Sequence, residues 1–303
     1  MSYVAPSPAV DSTALLEARL ARFPVREAAV EGACVSYREA AGAAHEGRAS
    51  IPIVLLHGIG SGAASWVQQL ETLGSTHRML AWDAPGYGVS TPVDADSPVA
   101  ADYALRLRGW LDVLGVARCV LVGHSLGAIV AGAFAAVSSE RLAGLLLISP
   151  AAGYGAAPQA VREQKRDARL AMLDELGPDG LARQRSGNMV SPGAGEAVRT
   201  WVRWNMSRVV PHGYAQATHL LANADLAADL AASAATYAGP IHVAVGEQDA
   251  ITPPAACEAI AQAARVPLQI VPGAGHAGYV EAPDAYNALI DAFYRIALEQ
   301  RSI

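Results

Sequence analysis

Cysteine is scarce in this sequence. Cys34, Cys119 and Cys257 are the only three in 303 residues. They are odd in number, scattered and set in apolar surroundings, without the close spacing of a disulfide framework or a metal site. Buried free thiols in a reducing compartment are expected, and no bound metal. Charge is scarce too. Charged residues make up 17% and the net charge is −6, which argues against nucleic acid as a partner, because phosphate binding needs a basic surface. No run of about 18 uninterrupted apolar residues occurs, so no membrane span is expected. The opening stretch, "MSYVAPSPAVDSTALLEARLARFP", has no basic n-region and no sustained apolar core, and it carries Asp11 and Glu17, unlike a signal peptide. Internal repeats and low-complexity tracts are absent. A soluble cytoplasmic protein is expected, with a small-molecule substrate as its partner, no cofactor, and room left for a homodimer.

What is present is apolar. Hydrophobic residues make up 52%, enough for a large core, and the length suits one large α/β domain with an insertion or two small domains. A short helix is expected over about 11–22, and "EAAVEGACVSYREA" reads as a hairpin turning at Glu31-Gly32. Strand-like runs follow at "IPIVLLHG", "HRMLAWDA", "CVLVGHS" and "GLLLISP". Helical stretches near 63–74, 98–115 and 126–138 separate them. Apolar strands alternating with helices indicate a parallel sheet covered on both faces. From about 151 to 225 the pattern is helical only, and strands return at "IHVAVGEQD" and "LQIVPGAGH". The block 151–225 therefore reads as a helical lid inserted into a core made of 1–150 and 226–303.

One junction bears chemistry. In "CVLVGHSLGAIVAGAFAA" a strand stops at a serine flanked two residues away by glycines, and a helix begins. Glycines there permit a cramped turn that exposes the Ser125 side chain. By itself G-x-S-x-G also fits simple strand–helix packing. A serine hydroxyl needs a base to take its proton, and His276 in "VPGAGHAGYVEAP" lies on a small-residue loop after the last strand run. Asp249 in "VAVGEQDAITPP" follows the preceding strand and can hold the imidazole in its working tautomer. In such sheets functional residues collect at the carboxyl ends of strands. A tetrahedral intermediate also needs donors for its oxyanion. The amide of Ile59, in the turn of "VLLHGIGSGAASW", and that of Leu126, at a helix N-terminus, are the candidates.

These motifs, with "WDAPGYGVS" between them, resemble the α/β-hydrolase superfamily over nearly the whole chain. The resemblance implies the α/β-hydrolase fold, a mostly parallel eight-stranded sheet with helices on both faces and an inserted helical lid. It also implies a triad of Ser125 as nucleophile, Asp249 as acid and His276 as base. His57 then reads as a structural hydrogen-bonder, His124 as packed or lining, and Asp83 as a loop anchor; Glu247 is the alternative acid. Trp66 reads as core. His45, His77, His212, His219 and His242 show no metal spacing.

The lid carries the substrate question. Between 151 and 213 stand nine basic residues, Arg162, Lys165, Arg166, Arg169, Arg183, Arg185, Arg199, Arg203 and Arg208, against six acids. Most suit a solvated helix surface, but one or two can meet a substrate carboxylate bidentately. Arg199 and Arg203 are four apart and flank Trp201 and Trp204. The Trp201 and Trp204 face is expected against the sheet domain, with part of it forming the pocket roof, and at least one of Arg199 and Arg203 near that roof; these four, with Gly58 and Tyr279, are the candidate substrate-binding residues. The stretches "VPHGYAQATHLLANADLAADLAA" and "VPGAGHAGYVEAPDAYN" are similar to β-ketoadipate enol-lactone hydrolases, which implies a small ester or lactone bearing a carboxylate. The rival is a carbon–carbon bond hydrolase of meta-cleavage products. Such enzymes usually carry tryptophan shortly after the histidine, where this chain has Tyr279. Dehalogenases and epoxide hydrolases need a carboxylate nucleophile, which Ser125 excludes, and a haloperoxidase-like esterase normally needs no large lid. A non-catalytic ligand-binding protein on the same scaffold is the remaining alternative, although such proteins often lose a triad member.

Overall fold

Strands apolar at every position need cover on both faces, and the central strands of this protein have it. The computed structural model describes residues 12–42 and 51–299. Eight strands form one sheet: β1 (Arg26–Val30), β2 (Ala33–Ala40), β3 (Ile53–Leu56), β4 (Met79–Trp82), β5 (Cys119–His124), β6 (Leu142–Ile148), β7 (Ile241–Gly246) and β8 (Leu268–Val271). Their spatial order is β1-β2-β4-β3-β5-β6-β7-β8. β2 runs antiparallel to β1 and β4, and all other neighbours are parallel. The β1–β2 hairpin turns at Glu31 and Gly32, both at positive φ (39° and 80°), as a two-residue turn matched to strand twist requires.

The helices, in chain order, are α1 (Ser12–Leu20), α2 (Val67–Thr72), α3 (Ala100–Val113), α4 (Leu126–Val137), α5 (Gln159–Arg185), α6 (Glu196–Met206), α7 (Pro211–Asn223), α8 (Leu226–Ser233), α9 (Pro254–Ala263), α10 (Gly278–Glu281) and α11 (Pro283–Glu299). Successive strand residues point to opposite faces, and the core divides accordingly. Val54, Leu121, Leu145 and Leu147 pack with Leu107 of α3, Ile129 of α4, Leu230 of α8 and Ile260 of α9. Ile53, Val120, Val122 and Leu146 pack on the other face with Leu16 of α1, Leu70 of α2 and Ile290 of α11. The chain therefore has the α/β-hydrolase fold. Helices α5 to α7 interrupt the strand–helix alternation between β6 and β7, within the stretch read as a lid.

Two expectations change in detail. The first helix spans Ser12–Leu20, and position 11 lies outside the described residues. All three cysteines are free, but only Cys119 and Cys257 are buried, while Cys34 is partly exposed. Among the described residues, no helix is long and apolar enough to cross a membrane.

Candidate functional site

The turn from β5 to α4 is tight because its glycines leave no space for a side chain. A Cβ on Gly123 would lie 2.5 Å from the carbonyl oxygen of Gly127, and one on Gly127 would run into the backbone of Leu56. Ser125, between them, is held at φ 54° and ψ −113°, a region that non-glycine residues avoid and that costs of order 1–3 kcal/mol. The turn raises Ser125 onto the wall of a cavity of about 250 Å³. Its hydroxyl has no hydrogen bond within the protein among the described residues, so it is free for a substrate.

His276 lies on the same wall. Its Nδ1 is 2.9 Å from Oδ2 of Asp249, and both side chains are almost fully shielded from solvent. Asp249 is held from every side. Its Oδ1 accepts the amides of Ile251 and Thr252 at 2.9 Å each, and the Thr252 hydroxyl lies 2.9 Å from Oδ2. Burial alone would push this carboxyl up. The hydrogen bond and charge of His276 and the Thr252 amide outweigh that and bring it down to about 2. The acid is thus ionised at neutral pH, and Nδ1 of His276 donates to it, which leaves Nε2 available as a base. Thr252 escaped the sequence reading, although its place three residues after Asp249 is a turn signal. Glu247 is exposed, and among the described residues its side chain receives only the Gly273 amide, at 2.9 Å; it makes no bond to the histidine.

The turn after β3 faces the elbow. Gly58, Ile59 and Leu126 line the cavity, and neither the Ile59 nor the Leu126 amide has a hydrogen-bond acceptor among the described residues. His57 braces this turn. Its Nε2 accepts the Ala84 amide at 3.0 Å, so the ring proton sits on Nδ1 and is donated to the Gly58 carbonyl at 2.8 Å. Burial pushes the pKa of His57 down against the pull of Asp83, which keeps the ring neutral. Asp83 anchors its own loop through the Ala63 amide and the Ser36 hydroxyl. His124 also lines the cavity. Trp66 is fully buried and stacks on Tyr279 with ring centroids 4.1 Å apart. Tyr279 reaches the cavity wall and bonds Ser65 at 3.0 Å.

The roof differs from expectation. Trp201 and Trp204 share a face of α6, but that face meets α1. The Arg19 guanidinium lies 4.8 Å over the Trp201 ring, and the Trp204 indole N–H reaches Glu17 at 3.4 Å. Arg199 is spent on the carbonyls of Ser191, Pro192 and Ala194, and Arg203 is half-exposed beside Glu196. None of these four lines the cavity. The roof stripe of α6 is Val202, Asn205 and Met206 instead, spaced i, i+3, i+4. Two arginines do line the cavity, Arg169 and Arg185, both from α5.

An elbow serine, a buried histidine–carboxylate pair and two amides without an acceptor among the described residues meet around one cavity. The chain belongs to the alpha/beta hydrolase family, whose model matches residues 53–289. It is 31% identical over 260 residues to a protein of Variovorax paradoxus (strain S110) named as the carbamate hydrolase RutD, a match covering 81% of this chain and 92% of that one. A 2-hydroxy-6-oxononadienedioate/2-hydroxy-6-oxononatrienedioate hydrolase of Pseudomonas putida is 36% identical over 116 residues, 37% of this chain and 40% of its own length. Among solved structures, a thermophilic esterase from Thermogutta terrifontis, with malate bound, aligns at a TM-score of 0.77 and 25% identity, over 90% of this chain and 99% of its own. The enol-lactonase of Burkholderia xenovorans LB400 shares the fold at a TM-score of 0.76 and 23% identity, over 88% of this chain and 99% of its own. This chain is a hydrolase of that superfamily.

Proposed function

We propose that the protein is a serine hydrolase that cleaves a small carboxylic ester or lactone through an acyl-enzyme. The observation that carries this reading is the convergence on one small cavity of the strained Ser125, the His276–Asp249 pair and the free amides of Ile59 and Leu126. Ser125 Oγ attacks the carbonyl carbon while His276 Nε2 takes the hydroxyl proton. The carbonyl oxygen becomes an oxyanion within reach of the Ile59 and Leu126 amides, each worth about 3 kcal/mol in the transition state. The C–O bond to the leaving alkoxide then breaks, and His276 returns the proton to it. In a lactone that alcohol stays tethered to the acyl group. Water repeats the sequence on the acyl-enzyme, with His276 again as base, and releases the acid and free Ser125. Asp249 stays ionised throughout and offsets the imidazolium charge.

An enol-lactone of aromatic catabolism is one such small lactone, and the Burkholderia enzyme of shared fold is named as an enol-lactonase. The carbamate named for the Variovorax relative has a carbonyl open to the same attack. The local match to the Pseudomonas putida enzyme favours one alternative, hydrolysis of a carbon–carbon bond in a meta-cleavage product. Assays of wild type and Ser125→Ala on small esters, lactones, carbamates and dienoic meta-cleavage products test these readings together. Turnover of at least one ester or lactone by wild type, and none by the variant, is expected. Equal background rates in both proteins on every compound would leave a non-catalytic binding protein.

A further inference from the structure

Helix α5 places two like charges in the cavity. On an unbroken helix, Arg169 and Arg185 would stand about 24 Å apart along the axis, at 1.5 Å per residue. α5 is not unbroken. Gly177, at φ 61° and ψ 177°, and Pro178 after it interrupt the helix, and the two arms fold back toward each other. Arg185 Nη1 thereby comes within 3.9 Å of the Met172 sulfur, one turn from Arg169. Both arginines line the cavity that holds Ser125 and His276.

Their charges are uncompensated. Arg169 donates to the Tyr214 hydroxyl at 3.2 Å, and the partner of Arg185 is a thioether, a weak acceptor. Neither forms an ion pair among the described residues, and no aspartate or glutamate lines the cavity. Burial and then the neighbouring Arg169 lower the proton affinity of Arg185, as expected of a cation crowded by a cation. Two forked donors facing a mostly apolar space, with only phenol and thioether for company, match the geometry of a carboxylate.

We propose that Arg169 and Arg185 form a carboxylate-binding pole, so that the substrate is a small ester or lactone keeping a free carboxylate while its scissile carbonyl sits at Ser125. The inference rests on the hydrolase reading above for the position of that carbonyl. Hydrolysis of such a substrate adds a second carboxylate to the acyl half, so short dicarboxylates should bind as product analogues.

The test pairs monomethyl glutarate with its neutral counterpart methyl pentanoate, on wild type, Arg169→Gln, Arg185→Gln and Arg169→Lys. Wild type should favour the anion by about tenfold or more in kcat/KM, in line with the worth of one charge-assisted hydrogen bond. Each glutamine variant should raise KM for the anion by about tenfold or more and change the neutral ester less than about twofold. Arg169→Lys, which keeps charge without the fork, should recover part of the loss. Effects of equal size on both esters, or a wild-type preference for the neutral one, would overturn the pole. Glutarate binding by calorimetry to Ser125→Ala, with and without the arginine substitutions, separates this inference from the hydrolase reading. If neither ester is turned over but glutarate binds and the substitutions abolish binding, the pole stands and the hydrolase reading falls. If glutarate binds no better with the arginines than without them, the pole falls whatever the turnover. Melting curves of the variants confirm that each is folded.

Discussion

His124 Nε2 lies 2.9 Å from the main-chain carbonyl of His276. A carbonyl only accepts, so the Nε2 proton is donated to it, and the residue before the elbow serine thereby fixes the backbone of His276, the proposed base. The ring stays uncharged, because burial first, then the nearness of His276, pushes its pKa down to about 3. His124 is thus a positioning residue and not a second base. His124→Phe keeps an aromatic ring and removes the bond, leaving a buried carbonyl without its donor at a cost of about 1–3 kcal/mol. We expect a lower melting temperature and a kcat reduced by about tenfold, with KM nearly unchanged. A rise in KM with unaltered kcat would make His124 part of the binding wall only.

The strain at Ser125 gives a stability prediction that runs opposite to intuition. The hydroxyl makes no hydrogen bond among the described residues, so Ser125→Ala should melt close to wild type while losing turnover. Ser125→Gly should be equally inactive yet melt above Ser125→Ala, since glycine adopts φ 54° without the penalty of a Cβ. A glycine variant less stable than the alanine variant would mean that the elbow is not strained. Gly127→Ala should do the reverse and destabilise strongly, because its Cβ has nowhere to go but the Leu56 backbone.

Much of this was legible in the sequence because burial on both faces writes itself into composition. The strands β3 to β6 are fully buried and, His124 at the end of β5 apart, carry no polar side chain, and the elbow glycines are required by backbone contact, so strand order in the chain and the elbow could be read directly. The roof could not. Which face of α6 looks inward depends on α1 packing from outside and taking Trp201 and Trp204, a long-range choice that helical periodicity does not encode. The cavity arginines depend on the break at Gly177. "LGPDG" does announce that break, and it shows why residues sixteen apart on α5 end up together where the four-residue pair Arg199 and Arg203 does not reach.

Asp249 links activity to acid stability. Its carboxyl is depressed from 3.8 to about 2 by the net pull of its partners. A depressed pKa contributes stability that is fully present above the unfolded value and is lost as pH falls through the folded one. Wild type should therefore out-melt Asp249→Asn at pH 6, and the gap should close between about pH 4 and pH 2. The same variant should lose about 10⁴ in kcat, as the corresponding change does in serine proteases, whereas Glu247→Gln should remain active. An inactive Glu247→Gln beside an active Asp249→Asn would reassign the acid.

Arg199 supplies a control in the lid. It holds the carbonyls of Ser191, Pro192 and Ala194 and does not reach the cavity. Arg199→Ala should lower the melting temperature while leaving the ratio of anionic to neutral ester turnover unchanged. A shift in that ratio comparable to the one expected for Arg169→Gln would place the substrate anion at α6 instead of α5.

Glu281 joins the histidine loop to the lid. One carboxylate oxygen accepts the amides of Ser191 at 3.0 Å and Gly275 at 2.9 Å, and the other accepts the Ser191 hydroxyl. Gly275 directly precedes His276, so the carboxylate sets the path of the base from outside the cavity and ties it to the segment leading into α6. Hydrogen bonds to a charged group are worth about 1.5–3 kcal/mol, and Glu281 is partly exposed, so the lower end applies. Glu281→Ala should cost about 1–2 kcal/mol and reduce kcat by about tenfold, because the loop can then drift while the substrate still binds. Glu281→Gln keeps one acceptor oxygen and should fall between the two proteins in both respects. Kinetics and thermal melts of the two variants decide the matter. If kcat is untouched in Glu281→Ala while stability falls, the bridge merely fastens the lid and does not position His276.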